Sequence, residues 1–126
     1  MMMGNSMSIN QGEIWLIQFY PQVGSEMSKK RPAIVVNHNS IGRLPLKVVV
    51  PITDWKERYS NYPWILELLP DSLNGLTKAS AIDCFQLKNF SDERFIKPIG
   101  KVDKQTLESI HETIAKVLNP QYKLCD

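Results

Sequence analysis

RPAIVVNHNSIGRLPLKVVVPIT (residues 31–53) decides the fold class. Two runs rich in β-branched residues, PAIVVNH (32–38) and LKVVVPIT (46–53), flank the turn region NSIGRLP (39–45). Such residues suit a pleated, half-buried surface, so both runs read as strands. Pro51 lies inside the second run and removes a ladder donor, which predicts a strand end or a bulge there. Upstream, EIWLIQF (13–19) is apolar on both faces and reads as a central strand. PQVGSEMSKKR (21–31) reads as a loop or a wide hairpin.

Downstream, DWKERYSNYP (54–63) is polar with interleaved aromatics and reads as an exposed loop. WILELL (64–69) is a further strand, followed by the turn PDSLNG (70–75). SAIDCFQL (80–87) reads as one strand and RFIKPIG (94–100) as a short one, edge-like because of Pro98. The last element changes period. Asp103 is a helix cap, Leu107, Ile110, Ile114, Val117 and Leu118 follow helical spacing, and Pro120 comes just past the end. The expectation is a mainly β domain of five or six short strands with one C-terminal helix, a small barrel or sandwich.

The chain has 126 residues, which allows one domain with a real core. Residues 12–119 read as that domain, 1–11 as a disordered leader and 120–126 as a short tail. With 43% hydrophobic and 22% charged residues the composition is that of a soluble globular protein. The net charge of +2 is too small for bulk attraction to nucleic acid, so such binding needs local clusters. Cys84 and Cys125 make neither a disulfide framework nor a metal spacing. MMMGNSMSINQ lacks the basic start and apolar core of a signal peptide, and no apolar run approaches spanning length. A cytoplasmic protein with no membrane partner is expected.

Phosphate-binding, dinucleotide, zinc-protease and serine-elbow motifs are absent. His38 and His111 offer no metal spacing; His111 reads as structural or solvated, and His38 ends a strand beside a loop. What remains is charge and hydroxyl chemistry. The loop 54–63 and its border set Trp55, Tyr59, Tyr62 and Trp64 beside Lys56 and Arg58. Rings with cations between them suit single-stranded nucleic acid, where bases stack and phosphates pair. A solvated loop whose rings pack on the body is the alternative. Pro32 pushes Arg31 toward extended geometry, delivering a permanently charged guanidinium at the start of a strand. It can grip a phosphate bidentately, or form a surface salt bridge with Glu26.

These stretches resemble the MazF/PemK family of bacterial toxins, in order along nearly the whole domain. GEIWLIQFYPQVGSE (12–26), KRPAIVV (30–36), VVVPIT (48–53) and SAIDCFQLKNF (80–90) each resemble a family segment, as does the helix from Asp103 to Leu118. The resemblance implies a small SH3-like β-barrel of the MazF/PemK/CcdB type and a homodimer. It implies metal-independent, sequence-specific cleavage of single-stranded RNA, with no cofactor. In that reaction the 2′-hydroxyl attacks the adjacent phosphorus, giving a 2′,3′-cyclic phosphate and a 5′-hydroxyl. The implied partner is a cognate antitoxin, with operator DNA bound only through the antitoxin complex.

By the same resemblance the family's catalytic arginine falls on Arg31, its hydroxyl partner on Thr53 and its loop glutamate on Glu26. Ser25, Lys29, Lys30, Trp55, Lys56, Arg58, Gln86 and Lys88 are the expected RNA contacts, although Gln86 reads equally as a satisfied strand-end residue. Some members carry an Arg and an Asp two apart before the central Gln; here Asp83 and Phe85 stand there, so that acid–base scheme does not transfer. Others have a His before the loop glutamate, where this chain has Ser25. Two rival readings use the same barrel: a CcdB-like gyrase poison, and an inactive nucleic-acid- or protein-binding module.

Overall fold

The computed structural model describes residues 8–19, 29–41 and 45–119. Among them the strands are β1 (Glu13–Gln18), β2 (Lys30–Val35), β3 (Leu46–Asp54), β4 (Ile65–Leu68), β5 (Ser80–Asp83), β6 (Lys88–Ser91) and β7 (Phe95–Lys101). One α-helix, α1 (Lys104–Leu118), follows. All pairings are antiparallel, in the order β4-β5-β3-β2-β1-β7, and β6 also pairs with β3. The mainly β class with a C-terminal helix is as expected, and β1 is central. The barrel-like sheet is not a closed barrel: among the described residues no pairing joins its two ends, β4 and β7. β7 carries Pro98 and meets β1 through two register shifts, which blunts that edge against further pairing.

Pro51 occupies the interior of β3 rather than its end. The Val36 N–H donates to the Val48 carbonyl at 2.9 Å, which fixes the parity of the β2–β3 ladder. By alternation Ala33 and Pro51 form a non-bonded pair, so the Pro51 nitrogen faces the outer edge of β3. On that edge β6 pairs with Leu46 to Val49 and β5 with Ile52 to Asp54, leaving Pro51 between them. Moving three positions along β3, from Ile52 to Val49, takes six on the facing chain, from Ile82 to Lys88. The extra residues form a turn, so only 80–83 of the expected strand 80–87 is strand, and a separate strand, β6, begins just past it at Lys88. The Asp83 carboxylate makes the break by accepting the Phe85 N–H at 3.1 Å.

Both faces of β1, β2 and β3 are buried. Ile14, Ile34, Val50, Ile52 and Ile82 share one layer, which Ile110 of α1 covers. Trp15, Ile17, Ala33, Val35 and Val49 form the other with Phe95 and Phe19, and Phe90 packs against it. Ile9, in the stretch read as leader, belongs to this second layer, and Gln11 Nε2 donates to the Val36 carbonyl at 3.0 Å. Residues 1–7 and 120–126 lie outside the described residues.

The helix begins where the sequence places it. Asp103 Oδ1 accepts the Thr106 N–H at 2.7 Å, and that bond holds the Asp103 carboxyl below its usual range. His111 fastens the helix to the sheet by donating from Nε2 to the Val36 carbonyl at 2.8 Å. Lys47, almost fully buried, is matched by Asp92 at 2.9 Å, which joins β3 to the turn after β6. The 71–76 turn packs on β7 so closely that a Cβ at Gly100 would lie 2.4 Å from the Asn74 carbonyl. Gly100→Ala is therefore expected to lower stability by about 1–3 kcal/mol or more, as overpacking does, read as a shifted urea midpoint.

Candidate active site

Strand register brings three distant polar residues to one face. Arg31 is two positions from Ala33, Thr53 two from Pro51, and Asp83 two from Ala81, so each pair shares a face. Ala33 lies opposite Pro51, and Thr53 opposite Ala81. Arg31, Thr53 and Asp83 thus project from the same side of β2, β3 and β5. There a hollow of about 160 Å³ is lined by Phe19, Arg31, Pro51, Thr53, Asp83 and Gln86. It opens where the outer ladder of β3 is interrupted at Pro51. A second hollow, of about 420 Å³, has Lys30, Arg31, Thr53, Thr77, Lys78 and Ser80 among its lining. Arg31 and Thr53 border both and form the divide between them.

Arg31 is set in β2 opposite Ile17 and is half-buried. Among the described residues its guanidinium makes neither an ion pair nor a hydrogen bond. Nearby Lys78 is different: it pairs with Asp54 at 3.1 Å. A half-buried cation facing a hollow without a partner is suited to an anionic ligand, which would restore the interactions lost with water. The Thr53 hydroxyl can add a hydrogen bond to the same anion. Asp83 brings negative charge to the rim, but its oxygens are engaged: Oδ1 by Phe85 N–H, Oδ2 by Gln86 Nε2 at 2.8 Å. Glu26 and Ser25 lie outside the described residues.

The remaining expected contacts divide. Lys29 and Lys30 are exposed just before Arg31, and Gln86 is exposed at the first hollow. Lys88 faces Val49 on the same side of the sheet, outside the lining of either hollow. In the 54–63 loop the rings meet one another. Trp55 contacts Tyr59 edge-on at 5.9 Å, Arg58 lies over Tyr59 at 5.2 Å, and Tyr62 stacks on Trp64 at 5.0 Å. Trp64 reaches Phe85 at 6.0 Å, so the series of rings ends one residue from Gln86. Lys56 is exposed on this loop. His38 is turned to its own loop, where Nδ1 accepts the Ser40 N–H at 3.0 Å. Phe19 and Asp83 are hollow residues that the sequence reading did not select. An Asp within a strand-like run was the available signal for Asp83, since it disfavours strand and favours a turn.

Among the described residues no three His, Cys, Asp or Glu side chains gather as a metal site, and no helix is long and apolar enough to cross a membrane. Residues 10–118 match the family model described as the PemK-like, MazF-like toxin of type II toxin–antitoxin systems. The chain belongs to this family. A relative from Mycobacterium tuberculosis, named endoribonuclease MazF9, is 29% identical over 112 residues, covering 84% of this chain and 92% of its own. A MazE–MazF structure from Deinococcus radiodurans matches with a TM-score of 0.71 at 21% identity, over 86% of this chain and 94% of its own. A mycobacterial endoribonuclease solved with its cognate antitoxin gives 0.70 at 16% identity, over 92% of this chain and all of its own. At those identities the structures establish a shared fold.

Cys84 adjoins the site in sequence but not in space. It follows Asp83 and points into the opposite core layer with Ile82 and Ile110. Burial, reinforced by the Asp83 carboxylate, pushes its thiol up to about 12, so it stays protonated and unreactive at neutral pH. Iodoacetamide at pH 8 is expected to leave folded Cys125→Ser protein unlabelled and to label it once guanidinium unfolds it. Labelling of the folded form would contradict the burial.

Proposed function

We propose that this chain is the toxin of a type II toxin–antitoxin pair and acts as a sequence-specific endoribonuclease on single-stranded RNA. The observation that carries this is the Arg31 guanidinium, unpaired among the described residues, beside Thr53 on the divide between two hollows. A strand crossing the divide sets one nucleotide in each hollow and the phosphate joining them against Arg31 and Thr53. The 2′-oxygen of the first nucleotide attacks that phosphorus, the bond to the 5′-oxygen of the second breaks, and a 2′,3′-cyclic phosphate and a 5′-hydroxyl result. Negative charge grows on the phosphoryl oxygens as the phosphorane forms. Arg31 stabilises it as a fixed cation and polarises the leaving oxygen, and Thr53 donates a hydrogen bond. Glu26 takes the proton from the 2′-hydroxyl, or orients Arg31 while water takes it, and water supplies a proton to the leaving 5′-oxygen. None of these steps draws on a cofactor.

The M. tuberculosis relative named as an endoribonuclease, matched over most of both chains, supports this reading. The structures named as MazE–MazF and as an endoribonuclease with its antitoxin support a cognate antitoxin as partner. The active form is a homodimer of a single domain spanning 12–119, working in the cytoplasm on mRNA. Operator DNA is reached only through the antitoxin complex. Lys29, Lys30, Lys56 and Arg58 supply the phosphate contacts along the strand, and Ser25, Trp55, Gln86 and Lys88 complete the RNA surface.

The test is digestion of a long mixed-sequence RNA with EDTA present, the cut ends being mapped. Discrete cuts at a short repeated motif are expected. Arg31→Ala should lower the rate about 100-fold or more, the cost of removing one such donor, with the thermal midpoint unchanged. An Arg31→Ala protein that cuts at the parental rate would refute the assignment.

A further inference from the structure

At the rim of the first hollow the Gln86 side chain is held by a neighbour. Gln86 Nε2 lies 2.8 Å from Asp83 Oδ2, and Asp83 Oδ1 accepts the Phe85 N–H at 3.1 Å. The backbone closes the same turn, the Gln86 N–H donating to the Asp83 carbonyl at 3.3 Å. An amide can ordinarily present either of its ends. Here it cannot, because an ionised carboxylate only accepts, so the amide nitrogen must face it. One N–H is used, which leaves the second N–H and the carbonyl oxygen. What Gln86 still offers is a donor beside an acceptor, in fixed order, on a residue that lines the hollow.

We infer that Asp83 is a specificity-determining, positioning residue: it orients the Gln86 amide, which reads one base of the RNA next to the scissile phosphate. This rests on the RNA reading of the hollow. The free donor–acceptor pair fits a base edge that offers an acceptor beside a donor, such as adenine N7 and N6. It does not fit the guanine edge at N7 and O6, where both atoms accept. Because the pair touches a base rather than the reacting phosphate, losing it changes which sequence is bound and leaves the chemistry of Arg31 and Thr53 in place.

Asp83→Asn inverts the arrangement with little change of shape. Its Oδ1 still accepts the Phe85 N–H and keeps the turn, while its Nδ2 now faces Gln86. The amide must then flip, presenting its NH₂ outward. Gln86→Ala removes the reader from an exposed position and leaves the fold unloaded. Both changes are made in Arg31→Ala protein, so that affinity is read without cleavage. Binding is measured with short RNAs carrying each of the four bases at each position flanking the cut. Arg31→Ala protein should prefer one base at one position by about 10- to 100-fold, the discrimination expected of a bidentate contact. Both added changes should erase or switch that preference at the same position and leave the others alone.

Unchanged preference in both would overturn the inference. So would a uniform loss of affinity at every position, which is what a merely structural residue gives. Failure of the parental protein to bind the same sequences made uncleavable by a 2′-deoxy nucleotide at the cut would instead overturn the RNA reading, and this inference with it. Matching thermal midpoints establish that the variants are folded.

Discussion

The site depends on one missing hydrogen. Pro51 has no N–H, and the parity of β3 points its nitrogen at the outer edge of the strand. With any other residue, an N–H there would need a hydrogen-bond partner. With proline, β5 and β6 can part at that point without leaving a donor unsatisfied, and the facing chain loops out between Ile82 and Lys88. The gap becomes a hollow, the loop supplies Asp83 and Gln86 to its rim, and the proline ring lines it. β3 continues on both sides of the break, so Thr53 remains as firmly placed as any ladder residue.

The fold class was legible because its signals are local. β-branched runs 32–38 and 46–53 become β2 and β3, and the 3.6-residue period after Asp103 becomes α1 with the expected cap. What was not legible is what depends on partners. Within SAIDCFQL the one turn signal is Asp83, which caps the break; the place on β3 that lets the facing chain part is Pro51, more than thirty positions earlier. Closure of the sheet is likewise a property of ends that never meet in sequence, and β4 and β7 stay apart.

The same division holds for the candidate site. Arg31 drew notice from the sequence through the proline that follows it, and the family resemblance is what selected Arg31 and Thr53 together as site residues. For Asp83 the sequence signals a turn and no more; the pairing of Thr53 with Ala81 is what shows that it shares their face. The aromatic loop is intermediate. Its residue types suggested stacking on bases, whereas its rings are already in contact with each other from Trp55 to Phe85. That contact fixes the loop's shape before any ligand arrives and spares the entropy of ordering it later.

The two-residue alternation of β5 also bears on how such proteins can diverge. Asp83 and Cys84 are adjacent, yet one meets the hollow and the other the core. One inserted or deleted residue in this strand would exchange them, placing a thiol in the site and a carboxylate among isoleucines. Lineages can therefore retune this rim by substitution but not by a change of length. Length changes are left to connections such as 54–63, where no alternation has to be kept.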